Sequence, residues 1–345
     1  MSIRAVVPCL LLPLVWASPV HAVVFCANNS TDFETVLDLA ENNGQADEIR
    51  LRVNTTYTRN NPDGFLVNPA DNRDLVISGG WNAGCNQRIE GNRTIIDGQF
   101  ARPGIQIFSV GGAGQFQLRI EYLDFFNAAS ADGRPALSVT SNPGNADNRI
   151  DLLVQNNRFF LNGNAQTGVS GLATQVNGNV RVRGNLFFAN TSVVAVAQLR
   201  CETGTASISH NTFVNNTAQG VGGTLQIPGD CVHEIDNNLF WGNTQPDFRS
   251  ASSGQIYRLR NNNFDQRAGQ AQPQLEVGTR FVDPLFAPNL LESRLLDGSP
   301  MIDGGFSNPP AGLPPLSLDE LPRLTGPAPD IGALEFDQIL RDGFE

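Results

Sequence analysis

Lysine is absent from this chain, so arginine supplies nearly all of its positive charge. The overall balance is acidic, with 23 basic against 34 acidic residues and a formal net charge of −11. Proteins that bind nucleic acids or anionic membranes concentrate basic residues in patches, and a chain of this composition offers no such patch. We therefore expect neither nucleic acid nor an anionic membrane surface as a partner.

Histidines and long apolar runs are also scarce. Only three histidines occur, and no Gly-x-Ser-x-Gly sequence is present, which argues against a serine triad. The apolar run Ala5–Ala17 follows Arg4 and precedes Val20, His21 and Ala22, a pattern typical of a signal peptide over residues 1–22. This run is shorter than the ~20 residues of a transmembrane helix. No later run is long enough, so we expect an exported chain without a transmembrane segment.

Four of the five cysteines follow the predicted signal peptide: Cys26, Cys85, Cys201 and Cys231. An even number of cysteines in an exported chain predicts disulfides. Four cysteines allow three pairings, and we favour Cys26–Cys85 with Cys201–Cys231 because each pair brackets one local region. No Cys-x-x-Cys or Cys/His spacing indicates a metal site, and we expect neither a metal nor a cofactor.

A repeated motif dominates the middle of the chain. It consists of an asparagine, any residue and a phenylalanine, usually with another asparagine three residues later, and successive phenylalanines are separated by 28, 26, 27 and 24 residues. Stacked copies would form asparagine ladders and a column of phenylalanine rings. The five copies contain Asn157 and Phe159, Asn185 and Phe187, Asn211 and Phe213, Asn238 and Phe240, and Asn262 and Phe264.

Each copy of the motif follows a short strand with alternating apolar residues, and no helix-length periodic segment lies between the copies. Units of this length with strands and Asn/Gly turns predict an all-β parallel solenoid whose coils stack about 4.8 Å apart. Aligning the motifs places one apolar residue of each strand in an inward column: Val154, Val182, Ile208, Ile235 and Leu259.

The ends of such a stack need covers. Thr31 and Glu34 have the spacing of a capping box, and they introduce a short predicted helix from Asp32 to about Asn43. Its apolar face is expected to close the core, and it consists of Phe33, Val36, Leu37 and Ala40. After about Gln270 the repeat stops and proline becomes frequent.

These changes in pattern divide the chain into five parts. They are the signal peptide (1–22), the N-terminal cap and first coils (23–90), the parallel β-helix repeats (91–275), the C-terminal region (276–337) and a tail (338–345).

Several stretches resemble exported right-handed parallel β-helix proteins of bacteria. LVISGGWNAGC (75–85) and TIIDG (94–98) are similar to their opening coils, whereas FVDPLF (281–286), LDGSPMIDGG (296–305) and LPRLTGPAPDIGALEF (321–336) resemble a choice-of-anchor Q domain. ILRDGFE (339–345) is similar to a short C-terminal sequence of exported proteobacterial proteins. The resemblance implies a right-handed parallel β-helix with a short N-terminal capping helix and an irregular C-terminal region. It also implies export to the surface, the outer membrane or the exterior of a Gram-negative bacterium. It assigns no catalytic residue, since β-helices serve many functions.

Glu234 and Asp236 are the best catalytic candidates. Lying two residues apart on one strand, they face the same side about 6.5–7 Å apart, a separation that glycosidases can use. Arg258 and Arg260 are predicted one coil further on, directly beside these acids. Neighbouring arginines lower a carboxyl pKa, whereas a general acid needs a raised one. We therefore favour a surface ion-pair ladder over a catalytic pair.

The remaining polar candidates have structural interpretations. His233 falls in an inward column beside Tyr257, which favours a buried histidine over a ligand. His210 takes the position held in other coils by Asn156, Gly184, Asn237 and Asn261, which is typical of a left-handed turn. Five C-terminal residues could bind an ion, but we expect ion pairs and loop caps from them: Asp303, Asp319, Arg323, Asp330 and Glu335.

The sequence favours a non-catalytic protein of the cell surface or exterior that mediates adhesion or contacts glycans, because stacked coils present long faces that suit extended ligands. A polysaccharide lyase or glycoside hydrolase is the first alternative, although the outward columns lack the dense acidic cluster of a Ca²⁺-dependent lyase. A purely structural surface protein is the second. Polysaccharide or other cell-surface components are the expected partners.

Overall fold

The computed structural model describes residues 22–141, 144–220, 222–244, 246–288 and 293–336. Nearly all of the predicted signal peptide and the whole predicted tail therefore lie outside the described residues.

The described residues form short strands and one helix. In the first half of the chain the elements are β1 (Val23–Ala27), α1 (Ser30–Ala40), β2 (Asp47–Arg52), β3 (Thr56–Tyr57), β4 (Phe65–Val67), β5 (Leu75–Trp81), β6 (Thr94–Asp97), β7 (Ile105–Phe108), β8 (Gly114–Glu121), β9 (Leu123–Phe126), β10 (Leu137–Thr140), β11 (Asn148–Gln155), β12 (Arg158–Phe160) and β13 (Val169–Asn177). In the second half they are β14 (Val180–Arg183), β15 (Leu186–Phe188), β16 (Thr191–Ser192), β17 (Ala195–Thr203), β18 (Thr205–Ser209), β19 (Thr212–Val214), β20 (Thr217–Ala218), β21 (Leu225–Ile227), β22 (Val232–Asp236), β23 (Leu239–Trp241), β24 (Phe248–Ser250), β25 (Ile256–Arg260), β26 (Arg267–Ala268) and β27 (Leu275–Val277).

Three long parallel sheets run along the molecule. The ten-stranded sheet has the order β1-β2-β5-β8-β11-β14-β18-β22-β25-β27, the eight-stranded sheet has β26-β24-β21-β17-β13-β10-β7-β4, and the seven-stranded sheet has β23-β19-β15-β12-β9-β6-β3. Successive strands of the chain pass from one sheet to the next, so each full coil adds a strand to every sheet. The chain is thus a right-handed parallel β-helix, as expected.

The core follows the predicted register. Val154 pairs with Val182, which pairs in turn with Ile208, and the column continues through Ile235 to Leu259. All five side chains are buried in one apolar core. Because every coil places an apolar residue at this position, burial recurs at each step of the stack.

The Asn-x-Phe motifs form two interior columns. Rings from Phe125 to Phe240 lie nearly parallel at centroid distances of 4.8, 4.6, 4.5 and 4.5 Å, whereas Phe264 packs edge-on against Phe240 at 6.3 Å. Each asparagine amide donates to the carboxamide oxygen of the next coil, and all of these groups are buried. The ladder runs through Asn157, Asn185, Asn211, Asn238 and Asn262 with N···O distances of 3.2, 3.0, 3.0 and 3.0 Å.

Helix α1 closes the N-terminal end of the core, with Phe33, Val36, Leu37 and Ala40 buried. Its start differs from the predicted capping box, because the side chain of Asn29 accepts a hydrogen bond from the backbone of Asp32 at 3.0 Å. Asparagine is among the strongest N-capping residues, so the helix begins before Thr31 could cap it. Within the described part of the chain, no helix has both the length and the apolar character that crossing a bilayer requires.

Both favoured disulfides are confirmed, Cys26–Cys85 and Cys201–Cys231. The first joins β1 to the loop after β5, and the second joins neighbouring coils at the end of β17 and the start of β22.

Among its described residues, the C-terminal region has no regular strand after β27, and it folds back over the outer face of the seven-stranded sheet. Leu318 and Leu334 pack against Leu186, while Met301 and Ile331 pack against Leu239. Backbone bonds fix this docking, since the amide of residue 332 donates to the carbonyl of residue 237 at 2.9 Å. The irregular C-terminal region thus buries apolar side chains that would otherwise face solvent.

Candidate functional site on the ten-stranded sheet

A groove of about 490 Å³ lies on the outward face of the ten-stranded sheet. We call it the sheet groove. Polar side chains of four neighbouring strands form its floor, and Pro310 with Ala311 of the C-terminal region form one wall. The floor consists of Asp151, Asn179, Arg181, Thr205, Ser207 and Glu234.

Strand register sets the spacing of the floor. Arg181 pairs with Ser207, and Ser207 pairs with Glu234. Adjacent parallel strands lie about 4.8 Å apart, so the guanidinium, hydroxyl and carboxylate groups follow one another at regular intervals. The period of the sheet thus presents a cation, a hydroxyl and an acid in one row.

A second row borders the first and is already hydrogen-bonded. The amide of Asn179 donates to Asp151 at 3.0 Å, and the carboxamide oxygen of Asn179 accepts from the backbone of Thr205 at 3.2 Å. Gln115 donates to the other oxygen of Asp151 at 2.6 Å. These bonds fix the edge of the groove, so its shape does not depend on a ligand.

Arg181 is the one cation among the described residues that line the groove, whereas the carboxylate of Asp151 is hydrogen-bonded to the neutral amides of Asn179 and Gln115. Arg181 is half-buried, and no carboxylate of the described residues lies within ion-pairing distance of it. A guanidinium has five N–H donors in a planar fork that matches the two oxygens of a carboxylate. Arg181 can therefore bind an acidic group of a ligand without first breaking an ion pair.

Glu234 lies at the other end of the row and is paired with arginines. Its two oxygens accept from Arg258 at 2.5 Å and from Arg260 at 2.8 Å, and Arg260 also donates to Asp236 at 2.9 Å. The four candidate residues of the sequence are thus brought together, as one connected ion-pair cluster.

The expected effect of the arginines on the carboxyl pKa is wrong for Asp236. Burial raises the pKa of Asp236 to about 6, and the hydrogen bond and charge of Arg260 oppose this rise without cancelling it. The side chain of Asp236 is fully buried, with 0% of its surface exposed. The neighbouring charge of Arg260 lowers this pKa, but desolvation has the larger influence on it.

The C-terminal region contacts two neighbours of Asp236, Arg260 and Asn237. Phe306 lies over the guanidinium of Arg260 at 5.6 Å from the ring centroid. The backbone N–H and C=O of Phe306 bond to the side chain of Asn237 at 2.6 and 2.9 Å. Only Glu234 of the two acids lines the sheet groove. The other carboxylate of its floor, Asp151, lies three strands away, at least about 14 Å along the sheet. Two-carboxylate hydrolysis needs both acids to flank the bond that is broken.

His233 and His210 are both buried, with 0% exposed surface. His233 pairs in register with Tyr257, and its Nε2 lies 3.4 Å from the carbonyl oxygen of Leu199. His210 has a φ of 54°, beside values of 53° at Asn156 and 58° at Asn237. The structure therefore places His210 in the left-handed turn that its alignment predicts, away from the sheet groove.

The C-terminal charged residues hold loops. Arg323 donates to Glu335 at 3.0 Å in a fully buried pair. Asp330 accepts from the backbone amides of Asp303 at 2.7 Å and of Phe336 at 2.6 Å. These contacts are loop caps and ion pairs, which is what we expected of these residues in place of an ion site.

Cys201, Cys231 and His233 come together in the core, which the sequence spacing did not reveal. The Nε2 atom of His233 lies 3.7 Å from the sulfur of Cys231. Both sulfurs are joined in a disulfide, so neither is a thiolate available to a metal. The alternation Cys231-Val232-His233 could have indicated this shared face, because residues two apart on a strand point to the same side.

The fold and this groove define the class of the protein, a right-handed parallel β-helix with a polar groove on one sheet. A scan against protein-family models finds no match for the chain, and a search of curated proteins finds no similar sequence.

Proposed function

We propose that the protein is an exported, non-catalytic β-helix protein that binds acidic polysaccharide in the sheet groove, at the cell surface or outside the cell. The unpaired guanidinium of Arg181 in an open polar groove is the observation that carries this proposal. Hydroxyl groups of a sugar chain would meet Ser207, Asn179 and Thr205, while a uronate carboxylate would bind Arg181.

The sequence supports the location. Residues 1–22 have the pattern of a signal peptide, residues 276–337 resemble a choice-of-anchor Q domain and residues 339–345 resemble a short C-terminal sequence of exported proteins. Two disulfides are typical of an oxidising compartment. Cell fractionation of the chain tests its exported location, and the same experiment without residues 338–345 tests whether this tail sorts the protein. An unchanged location without the tail would refute the sorting role.

Binding of galacturonate oligomers to the full chain tests the ligand class, with neutral glucose oligomers as the comparison. We expect galacturonate oligomers to bind and Arg181→Gln to weaken their affinity about tenfold or more, because a charge-assisted hydrogen bond is lost. Arg200→Gln is the matched control, since Arg200 lies on the eight-stranded sheet and pairs with Glu202 at 2.5 Å. Equal affinity for charged and neutral oligomers, or no effect of Arg181→Gln, would refute acidic recognition.

The same incubation distinguishes binding from cleavage. Reducing ends or unsaturated products that disappear in Glu234→Gln would make the protein an enzyme and overturn the non-catalytic assignment. Asp236→Asn is compared with Glu234→Gln. Because Asp236 is buried and does not line the groove, its replacement should leave the binding of galacturonate oligomers intact.

A further inference from the structure

A second cavity, of about 220 Å³, lies where the C-terminal region meets the seven-stranded sheet. We call it the arginine cavity. Arg93 and Arg158 line it from the β-helix, and Arg294 and Asp319 line it from the C-terminal region. It lies on a different face of the molecule from the sheet groove.

Two of the three arginines have a carboxylate partner. Arg158 forms a two-bonded pair with Asp124, in which its Nε donates at 2.7 Å. Arg294 pairs with Asp319 at 3.4 Å. These two pairs are close to neutral together, so the net charge of the cavity depends on Arg93.

Arg93 has no carboxylate within ion-pairing distance among the described residues. Its Nε donates to the backbone oxygen of Asn156 at 3.2 Å, and its Nη2 donates to the backbone oxygen of Leu318. A guanidinium has five N–H donors, so these two bonds leave further donors on a side chain that lines the cavity. Burial lowers the pKa of Arg93 to about 10, which leaves the group charged at neutral pH.

We propose that the arginine cavity binds a small oxyanion, a carboxylate, sulfate or phosphate group, with Arg93 as its principal ligand. The carboxylates of Asp124, Asp319 and Glu320 act on Arg93 only from beyond ion-pairing distance. An anion with two oxygens in direct contact would satisfy both the charge and the forked donors of Arg93. Arg158 and Arg294, each paired with a carboxylate, also line the cavity. Leu186 and Leu334 close the remaining walls, which limits the ligand to a small group.

The bound anion would also join the two parts of the molecule. Arg93 belongs to the β-helix and already donates to Leu318 of the C-terminal region. An anion held by Arg93 and Arg294 bridges the same boundary, so its binding favours the docked C-terminal region by mass action.

Titration of the full chain with sulfate, inorganic phosphate and acetate, at constant ionic strength against sodium chloride, tests this inference. We expect saturable binding by calorimetry and a rise of the unfolding midpoint with anion concentration. Arg93→Gln should weaken binding about tenfold or more, and Arg200→Gln should leave it unchanged. The three anions distinguish a carboxylate site from a site for tetrahedral oxyanions.

Asp319→Asn provides a test with the opposite sign. It removes the one carboxylate that lines the cavity while keeping an oxygen for Ser317, whose hydroxyl donates to Asp319 at 2.5 Å. Anion affinity should rise severalfold, because the repulsion between the anion and the carboxylate of Asp319 is lost. Absence of saturable binding in the unaltered chain, or affinity unchanged in both Arg93→Gln and Asp319→Asn, would overturn the proposal. The sheet groove is untouched by either change, so the two proposals fail independently.

Discussion

The repeated coils and the C-terminal region are stabilised in different ways. In the coils every contact recurs, because Phe213 stacks between two phenylalanines and Asn211 hydrogen-bonds to asparagines of both neighbouring coils. In the C-terminal region each contact occurs once, as in the buried Arg323–Glu335 pair and in the two small apolar clusters that contain Leu318 and Met301. We infer that a change in the coils weakens the whole stack, whereas a change in the C-terminal region weakens its docking alone.

Phe213→Ala should give the largest effect. Phe213 is fully buried, with ring neighbours at 4.5 Å on both sides. Removing it leaves a cavity inside the column, and we expect the free energy of unfolding to fall by about 3–5 kcal/mol. Urea denaturation followed by circular dichroism measures this loss. Phe108→Ala is the control, because Phe108 is 39% exposed, and a similar loss there would contradict the importance of the column.

Arg323→Met tests the other half of the comparison. Arg323 donates to the backbone oxygens of residues 332, 333 and 334 as well as to Glu335. Breaking a buried pair by removing one partner costs about 3–5 kcal/mol. We expect limited proteolysis to cleave the C-terminal region of this variant while the β-sheet circular dichroism signal and its urea midpoint change little. A matching collapse of the coils would show that the two parts unfold together.

Protonation of His233 gives a smaller, pH-dependent effect within the coils. Burial lowers the pKa of His233 from 6.5 to about 4. A folded-state pKa below the unfolded one means that stability is fully present above pH 6.5 and is lost as the pH falls toward 4. The full shift corresponds to about 3 kcal/mol.

The comparison with His233→Gln isolates this contribution. Burial raises the pKa of Asp236 and of Asp247 to about 6, so these acids contribute stability that is present below their unfolded pKa and lost as the pH rises through about 6. They act in both proteins, and their opposite trend cancels in the difference. We expect the variant to gain stability relative to the unaltered chain between pH 6.5 and 4, and a constant difference would contradict the prediction.

The structure of the coils was predictable from the sequence because each position recurs in every repeat. The inward column through Val182 and Ile208 and the pairing of Glu234 with Arg258 follow from one alignment of five motifs. The docking of the C-terminal region could not be derived in this way. Thr212 accepts a hydrogen bond from the amide of Ala333 across a separation of 121 residues, and because this contact occurs once, no repeated pattern in the sequence indicates it.

The same limit explains the error on Asp236. Its neighbours on the sheet were predictable, but the Phe306 segment that packs against Arg260 and Asn237 beside it belongs to the non-repeating part of the chain. The sheet groove was missed for the same reason, because Pro310 and Ala311 form its wall. A local pattern identifies which side chains share a face, whereas the solvent exposure of that face depends on what folds over it.

His210 provides the finest test of the repeat, with the smallest expected effect. Its φ of 54° is a conformation that asparagine adopts more readily than other non-glycine residues. Burial holds the pKa of His210 well below 6.5, and its Nε2 contacts the amide of Asn237 at 2.9 Å. His210→Asn would restore the residue of the neighbouring coils, so we expect the free energy of unfolding to change by less than about 1 kcal/mol, with a smaller loss of stability at low pH.

His210→Ala should cost about 1–2 kcal/mol, because alanine in the left-handed region is strained and leaves Asn237 without its contact. Urea denaturation at pH 7 measures both variants. If His210→Asn lowered the free energy of unfolding more than His210→Ala, the imidazole would have a role beyond the turn, and the repeat would not explain the presence of His210.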